Sequence, residues 1–274
     1  MIAEMRGVSK VFTDRRGGKG VVALNNVSLQ IEEGEFLCII GSSGCGKSST
    51  LNLLAGFELP TRGEVLFRGE RVEGPSPRCG VVFQDYSLYP WMNVLANVMF
   101  SMPGKDRESK REGAMDALRL VGLESFAHSR PNDLSGGMKQ RVAIARALAM
   151  DPDLLLMDEP FGSLDERTRG RLDAEVLSIW EKKRKTVVFV THNIDEALAL
   201  GTRVILMSAS PGRIAHEWRL DPEISRHQSN PEIQRLRAEM VRHLEACACA
   251  AGSPSPIITL NGISVESSDR KDVR

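Results

Sequence analysis

The sequence predicts an α/β fold built on a parallel β-sheet with a helical insertion. An apolar strand at residues 35–40 runs into the glycine-rich stretch GSSGCGKS and then into a helix-forming segment. Later apolar strands alternate with helix-forming stretches, at residues 153–158, 186–191 and 203–208. This alternation is typical of parallel strands whose connecting helices cover both faces of the sheet. Residues 90–150 are mostly helix-forming, which indicates that a helical subdomain is inserted between strands.

The first part of the chain predicts several strands and one helix. In VSLQI the apolar residues Val27, Leu29 and Ile31 alternate, which indicates a strand with one buried face. SSTLNLLAG predicts a helix that ends at Gly56. GEVLFRGE predicts a strand that turns at Gly69, and GVVFQ predicts another short strand.

The spacing of apolar residues predicts the helices of the middle and end of the chain. They occupy residues 91–100, 107–121, 138–150, 166–182, 195–200 and 231–244. GRIAHEWRL predicts a strand at the edge of the sheet. After Ala248 the residues are small and polar, so we expect a disordered tail.

These elements divide the chain into two parts. Residues 1–220 form one domain, with the helical insertion at 88–150, and residues 221–274 form a short helical extension and the tail. The chain of 274 residues carries 42% hydrophobic and 26% charged residues, which is ordinary for a globular protein able to bury a core.

Charge and cysteine content exclude several classes of protein. The 36 basic and 36 acidic residues cancel, so bulk attraction to nucleic acid or anionic lipid is not expected. No apolar run reaches the roughly 18 residues that span a bilayer, and the N-terminus lacks the apolar core of a secretory signal. The five scattered cysteines do not form a disulfide framework, and the C-x-C of Cys247 and Cys249 lacks the usual zinc spacing. A soluble cytoplasmic protein is expected.

The stretch GSSGCGKS, residues 41–48, predicts a phosphate-binding loop. It matches G-x-x-x-x-G-K-[ST] and lies between a strand and a helix, the context that supports this function. Gly41, Gly44 and Gly46 permit turns that aim backbone N–H groups at phosphate oxygens. Lys47 is placed to reach the β- and γ-phosphates, and the Ser48 hydroxyl to bind Mg²⁺.

The apolar strand LLLMDE delivers two acids at its carboxyl end. Ligands of parallel sheets bind in the crevice at this end of the strands. Asp158 is therefore predicted to hold the Mg²⁺ shell, and Glu159 to act as general base on the attacking water. A solvated acidic turn before Pro160 is the alternative.

The stretch LSGGMKQR, residues 134–141, places a serine and two glycines at the start of a predicted helix. Glycine costs about 1 kcal/mol relative to alanine inside a helix, but at a helix start it exposes N–H groups and admits close approach of an anion. An ordinary serine cap followed by glycines is the alternative.

Taken together, these motifs resemble those of the ATP-binding subunits of ABC transporters. LSGGMKQR is similar to the signature motif of that family, VVFQD to its glutamine loop, MDEPFGSLD to its Walker B segment and D-loop, and FVTHN to its switch histidine. The motifs follow the family's order between Val8 and Met207. The resemblance implies a P-loop NTPase core with a parallel sheet, an antiparallel β subdomain and an inserted α-helical subdomain.

The resemblance also implies the roles of individual residues. ATP would be bound with Mg²⁺, through Phe12 stacking on adenine and through the loop residues Gly41, Ser42, Ser43, Gly44, Cys45, Gly46, Lys47, Ser48 and Ser49. The catalytic residues implied are Lys47, Gln84, Glu159 and His192, and the metal ligands Ser48, Gln84 and Asp158. The resemblance also implies a head-to-tail dimer of two copies of the chain. In this dimer Ser135, Gly136 and Gly137 would contact the ATP of the partner copy, and Asp165 would belong to the D-loop. For Phe12 and His192 a purely structural role is the alternative.

Two further segments resemble one group within the family. FQDYSLYPWMNVLANVMFSM and LMSASPGRI are similar to segments of nitrate, sulfonate and taurine importers. This implies permease subunits, a periplasmic or lipoprotein solute-binding protein as an indirect partner, and a peripheral position on the cytoplasmic face of the inner membrane. Trp91, Met92 and Met99 would line the permease groove or instead fill the core of the insertion. The alternatives are an ABC exporter ATPase and a soluble ABC ATPase acting on ribosomes or DNA.

Overall fold

The chain folds around two β-sheets. The computed structural model describes residues 1–13, 20–102, 104, 106–162, 169–170, 176–178, 180–181, 185–221, 223–226, 229–250, 258–260 and 263–265. The strands of the two sheets are β1 (Ala3–Phe12), β2 (Val21–Ile31), β3 (Phe36–Gly41), β4 (Arg62–Phe67), β5 (Glu70–Arg71), β6 (Cys79–Val82), β7 (Leu154–Asp158), β8 (Thr186–Val190), β9 (Arg203–Ser208) and β10 (Arg213–Arg219).

The larger sheet has six strands in the order β10-β9-β3-β8-β7-β6. Four of its five pairings are parallel, and β10 runs antiparallel to β9 at the edge, where the sequence predicts an edge strand. Strands β3 and β8 are buried along their whole length, because helices or the second sheet cover both faces. The carboxyl ends of the parallel strands β3, β8 and β7 lie on the same side of the sheet, so the phosphate-loop motif and the acidic motif meet there.

The smaller sheet is antiparallel, in the order β2-β1-β4-β5. Strand β2 alternates between buried and exposed residues, as a strand with one packed face does. β4 and β5 are joined through Arg68 and Gly69, which both have positive φ, so the predicted turn at Gly69 is present.

Helix α1 (Lys47–Leu54) follows β3, and the insertion contains α2 (Val94–Phe100), α3 (Arg107–Leu120) and α4 (Gly136–Ala149). The last three pack against one another. Two further helices are Ile194–Leu200 and Pro231–Ala250. Successive residues of β3 enter two cores: Cys38 and Ile40 face the insertion, whereas Leu37 and Ile39 face α1 and the smaller sheet.

Several predicted boundaries differ from those in the structure. The helix predicted from residue 91 begins at Val94, because the Asn93 side chain accepts a hydrogen bond from the Ala96 N–H and caps it. The strand GVVFQ ends at Val82, which leaves Gln84 in the following loop. The C-terminal helix extends beyond residue 244 to Ala250.

Two predicted segments lie largely outside the described residues. Of the helix predicted at 166–182, residues 169–170, 176–178 and 180–181 are helical. Within the predicted tail the structure contains a two-stranded hairpin, in which Ile258–Leu260 pairs with Ile263–Val265. The remaining tail and Asp165 lie outside the described residues.

Candidate nucleotide-binding site

The phosphate-loop motif lies where β3 passes into α1. Gly46 caps the helix with φ 94°, and Gly44 has φ 79°, so both occupy the left-handed region that favours glycine. A Cβ at Gly46 would lie 2.5 Å from Leu24 Cδ2, whereas Gly44 faces open space. Close packing of β2 against the loop therefore requires glycine at position 46.

The side chains of the loop differ in their environment. Ser43 and Ser48 are exposed, Ser42 and Ser49 are half-buried, and Cys45 is buried in the core. Burial raises the pKa of the Cys45 thiol, which disfavours a thiolate. Cys45 can therefore contribute its backbone N–H group to a phosphate site, but not a charged side chain.

Lys47 is buried and its ammonium group lies inside the loop. Nζ donates hydrogen bonds to the carbonyl oxygens of Gly41 at 2.8 Å and Ser42 at 3.1 Å. It also lies 4.0 Å from Glu159 Oε1. The positive charge is thus held between the loop and the end of β7.

Asp158 ends β7 and meets the first turn of α1. Burial is the main influence on this carboxyl group and raises its pKa, while a hydrogen bond with Ser48 opposes the rise. A hydroxyl and a carboxylate held together in this way form a donor set suited to Mg²⁺, which prefers oxygen ligands.

Glu159 connects the loop to the end of the neighbouring strand. Its backbone has φ 43°, a conformation that strains a residue with a side chain, and its N–H donates to the Val190 carbonyl at 2.9 Å. Its Oε2 lies 3.0 Å from His192 Nδ1. The structure therefore brings together Lys47, Ser48, Asp158, Glu159 and His192, as the sequence predicts for a single site.

A buried carboxylate behind His192 was not singled out by the sequence analysis. Glu196 is 5% exposed, accepts a hydrogen bond from the Thr191 hydroxyl, and lies 3.2 Å from Arg169 Nε through Oε1. Burial raises the pKa of Glu196, opposed by the Thr191 hydrogen bond and by the charge of Arg169. An acid within the apolar helix IDEALAL was the available signal.

Other predicted site residues lie away from this cluster. Phe12 ends β1, is 40% exposed, and has the Lys10 ammonium 5.0 Å from its ring centroid. Gln84 is exposed in the loop after β6. Ser135 is exposed and caps α4, because its hydroxyl accepts a hydrogen bond from the Met138 N–H at 3.3 Å. Gly136 and Gly137 consequently form the first turn of α4, whose start was predicted at residue 138.

An aromatic patch, formed by the half-buried Tyr89 and the exposed Trp91 and Phe100, lies on the insertion. Tyr89 packs against Trp91 and Phe100 with ring centroids 5.4 and 4.9 Å apart. Trp91 is 72% exposed and Phe100 60%. The buried Asn97 amide holds both backbone groups of Tyr89, at 2.8 and 3.1 Å.

Side-chain exposure bears on the two alternatives for Trp91, Met92 and Met99, which were to line the permease groove or to fill the core of the insertion. Trp91 is too exposed to fill a core, whereas Met99 packs against the core of the insertion and Met92 is half-buried. Among the described residues, no helix has the combination of length and apolar content needed to cross a bilayer.

Comparisons with known proteins agree with this geometry. Residues 24–162 match the family model described as ABC transporter. The chain is 45% identical over 244 residues to the ABC transporter ATP-binding protein MJ0412 of Methanocaldococcus jannaschii, covering 88% of this chain and 91% of that protein. It is 41% identical to the aliphatic sulfonates import ATP-binding protein SsuB of Bacillus anthracis, covering 89% and 96% respectively.

A solved structure shows the same fold. The dimeric ATP-binding cassette MJ0796, in a post-hydrolysis state bound to ADP and Pi, aligns with a TM-score of 0.71 and 36% identity, covering 80% of this chain and 99% of that one. The family model, the relatives and this cassette all contain the segment that carries the phosphate loop and the two acids. The chain therefore belongs to the ABC transporter family, as an ATP-binding subunit that hydrolyses ATP.

Proposed function

We propose that this ATPase powers the import of a small solute such as nitrate, a sulfonate or taurine across the cytoplasmic membrane. The observation that carries the proposal is the 41% identity to sulfonate-import ATP-binding proteins over 96% of their length. The similarity includes the stretch that carries the aromatic patch as well as the nucleotide site. ATP hydrolysis on this chain would supply the free energy, while permease subunits carry the solute.

The cluster at the ends of β3, β7 and β8 supports a mechanism for hydrolysis. Backbone N–H groups of the loop and Lys47 would bind the phosphates, and Ser48, Asp158 and Gln84 would hold Mg²⁺, which would supply positive charge to the phosphate oxygens. Glu159 would take the proton of the attacking water. Its carboxylate lies 4.0 Å from Lys47 Nζ in the loop and is oriented by His192 Nδ1 at 3.0 Å. Phe12 stacks on the adenine ring.

A second copy of this chain completes each site. The related cassette is dimeric with ADP and Pi, which supports a dimer here. Helix α4 begins with two half-buried glycines, and the first N–H groups of a helix have no acceptor within it, which suits a phosphate. Ser135, Gly136 and Gly137 would therefore contact the partner's ATP, and Asp165 of the D-loop would lie at the same interface.

The aromatic patch is the proposed contact with the permease. Aromatic side chains are enriched at protein interfaces, and this cluster exposes the rings of Trp91 and Phe100. A permease there places this chain on the cytoplasmic face of the inner membrane, with the solute-binding protein reached only through the permease. The balanced charge of the chain does not favour nucleic acid as a partner.

Substitution of Trp91 by aspartate tests this coupling. The charge should prevent burial of the patch against the permease, so we expect loss of uptake of labelled nitrate, alkanesulfonate or taurine in cells that contain the complete transporter. The ATPase rate of the purified subunit should stay within about twofold of wild type, because Trp91 does not contact the nucleotide cluster. Phe126→Asp, at an exposed aromatic outside the patch, is the matched control.

Affinity purification from detergent-solubilised membranes provides the second measurement. Two polytopic membrane proteins should co-purify with wild type and Phe126→Asp but not with Trp91→Asp. Uptake at the wild-type rate in Trp91→Asp would remove the patch from the interface. Recovery of ribosomes or DNA in place of membrane proteins would reject transport as the function, and ATP-driven efflux of the solute would reject import.

A further inference from the structure

A cluster of metal-binding side chain types joins the edge strand β10 to the C-terminal helix Pro231–Ala250. It consists of His216 on the strand and of Glu239 and His243 on the helix, all half-buried. One ligand atom from each lies within 4.8 Å of the other two. The cluster lies outside the nucleotide cluster and takes no part in the mechanism above.

The backbone geometry explains why these three side chains meet. Glu239 and His243 are four residues apart and so lie on one face of the helix. His216 and Trp218 are two residues apart on β10 and so lie on one face of the strand. Trp218 is 6% exposed and contacts Glu239, so this face of the strand is the one that packs against the helix.

The Glu239 carboxylate is already oriented by a neighbour. Trp218 Nε1 donates a hydrogen bond to Glu239 Oε1 at 2.9 Å, which leaves Oε2 available to a ligand. His216 Nε2 lies 3.9 Å from Oε1. Ligating carboxylates in metal sites are supported by hydrogen bonds of this kind.

The distances are close to those of a metal site. Zinc–ligand bonds of about 2.0–2.2 Å in tetrahedral geometry separate the ligand atoms by about 3.3–3.6 Å. The ligand atoms, which lie within 4.8 Å of one another, would therefore have to move closer together when an ion binds. The rings of His216 and His243 stack with centroids 4.3 Å apart, so they must splay for a nitrogen of each to face the ion.

Neither cysteine of the C-x-C pair belongs to the cluster. Cys247 is half-buried and packs against the hydrophobic core, and Cys249 is exposed. Among the described residues, the ligand atoms that lie together in this way are those of His216, Glu239 and His243. A fourth coordination position would therefore be left to water.

We propose that His216, Glu239 and His243 bind a divalent transition metal of the zinc class, with water in the fourth position. Two imidazoles with one carboxylate suit Zn²⁺ and do not suit Mg²⁺ or Ca²⁺, which prefer oxygen ligands. The bound ion would fasten the C-terminal helix to the ATPase sheet. This helix also contacts the helix after His192, through a 2.8 Å ion pair between Arg237 and Asp195.

Zinc titration of the full-length, untagged and nucleotide-free protein tests the site. Zn²⁺ is measured by competition with a chromophoric chelator, and Co²⁺ by its visible absorption. We expect one ion per chain, with affinity reduced at least about tenfold in His243→Ala and in Glu239→Gln. Glu239→Gln keeps the acceptor for Trp218, so it tests the ligand role without loss of the hydrogen bond that supports the fold.

Two other histidine variants are the matched controls. His128→Ala, at an exposed residue of the insertion, and His192→Ala, at the nucleotide site, should both bind Zn²⁺ with wild-type affinity. Wild-type affinity in both His243→Ala and Glu239→Gln, or an equal loss in His192→Ala, would overturn the proposal. Neither result bears on ATP hydrolysis or on transport.

Discussion

Two neighbouring carboxylates at the end of β7 have different surroundings. Asp158 is held against Ser48, and burial raises its pKa. Glu159 turns away through a positive φ and lies between Lys47 and His192. These different surroundings fit the proposed division of roles, in which Asp158 holds the metal and Glu159 accepts the proton.

Replacement of Glu159 by glutamine should separate ATP binding from hydrolysis. Glutamine keeps the length of the side chain and a hydrogen bond to His192, but it cannot take a proton. Hydrolysis should fall by about 10²–10⁴, the usual contribution of a general base, while the Kd for ATP stays within a few-fold. Steady-state phosphate release and equilibrium binding measure the two effects, and size-exclusion chromatography should show an ATP-dependent dimer.

An exposed acid of the smaller sheet provides the control for this prediction. Glu70→Gln, on β5, should hydrolyse ATP at the wild-type rate. Turnover near the wild-type rate in Glu159→Gln would assign the base to another group.

At the scale of elements, the junction of β3 with α1 depends on the contact of its loop with β2. Gly46 and Gly44 both have positive φ, but only Gly46 faces a neighbouring side chain closely. Lys47 begins the helix and reaches back to the carbonyl of Gly41. The shape of the loop is therefore determined by residues before it and after it along the chain.

Alanine at these two glycines should distinguish backbone strain from packing. Gly44→Ala introduces a residue with positive φ into open space and should lower the free energy of unfolding by about 1 kcal/mol. Gly46→Ala adds a steric overlap with Leu24, which should cost a further 1–3 kcal/mol or so. Urea unfolding of the nucleotide-free protein measures both. Equal destabilisation by the two variants would show that the overlap relaxes without cost.

At the scale of the whole molecule, the proposed active species contains two chains. Each nucleotide would lie on the loop of one copy and at the start of α4 of the other. A heterodimer of two defective chains should then contain one intact site. Lys47→Ala removes a phosphate contact in its own chain. Ser135→Asp keeps the helix cap but places a negative charge where the partner's phosphate must approach.

Mixing the two variants should restore ATPase activity above that of either alone. The specific activity of wild type should also rise with protein concentration, because the active form is a dimer. Ser135→Asp should bind ATP as a monomer with a Kd within a few-fold of wild type. Loss of binding by that monomer would place Ser135 in its own chain's site and contradict the head-to-tail arrangement.

The local sequence pattern was sufficient to predict the strands and to locate the phosphate-loop motif. Strands such as β3 and β9 are continuous apolar runs because both of their faces are buried, and glycines mark the turns that follow them. The boundary errors at Val94 and Gly136 arise at helix starts. At these positions the side chain of Asn93 or Ser135 accepts a hydrogen bond from the first turn and so fixes where the helix begins. The spacing of apolar residues contains no information about that hydrogen bond.

The sequence by itself determined the family and the α/β class, and it supplied the residues proposed for the nucleotide site, because these depend on short motifs with fixed spacing. Only the tertiary structure decided which distant groups meet. It placed Glu159 at His192, buried Glu196 beside Arg169, exposed Trp91 while Met99 entered the core, and set His216 against the C-terminal helix. The physical reason is that packing of the sheets and helices determines such contacts, and residues far apart in the chain share no local pattern that could reveal them.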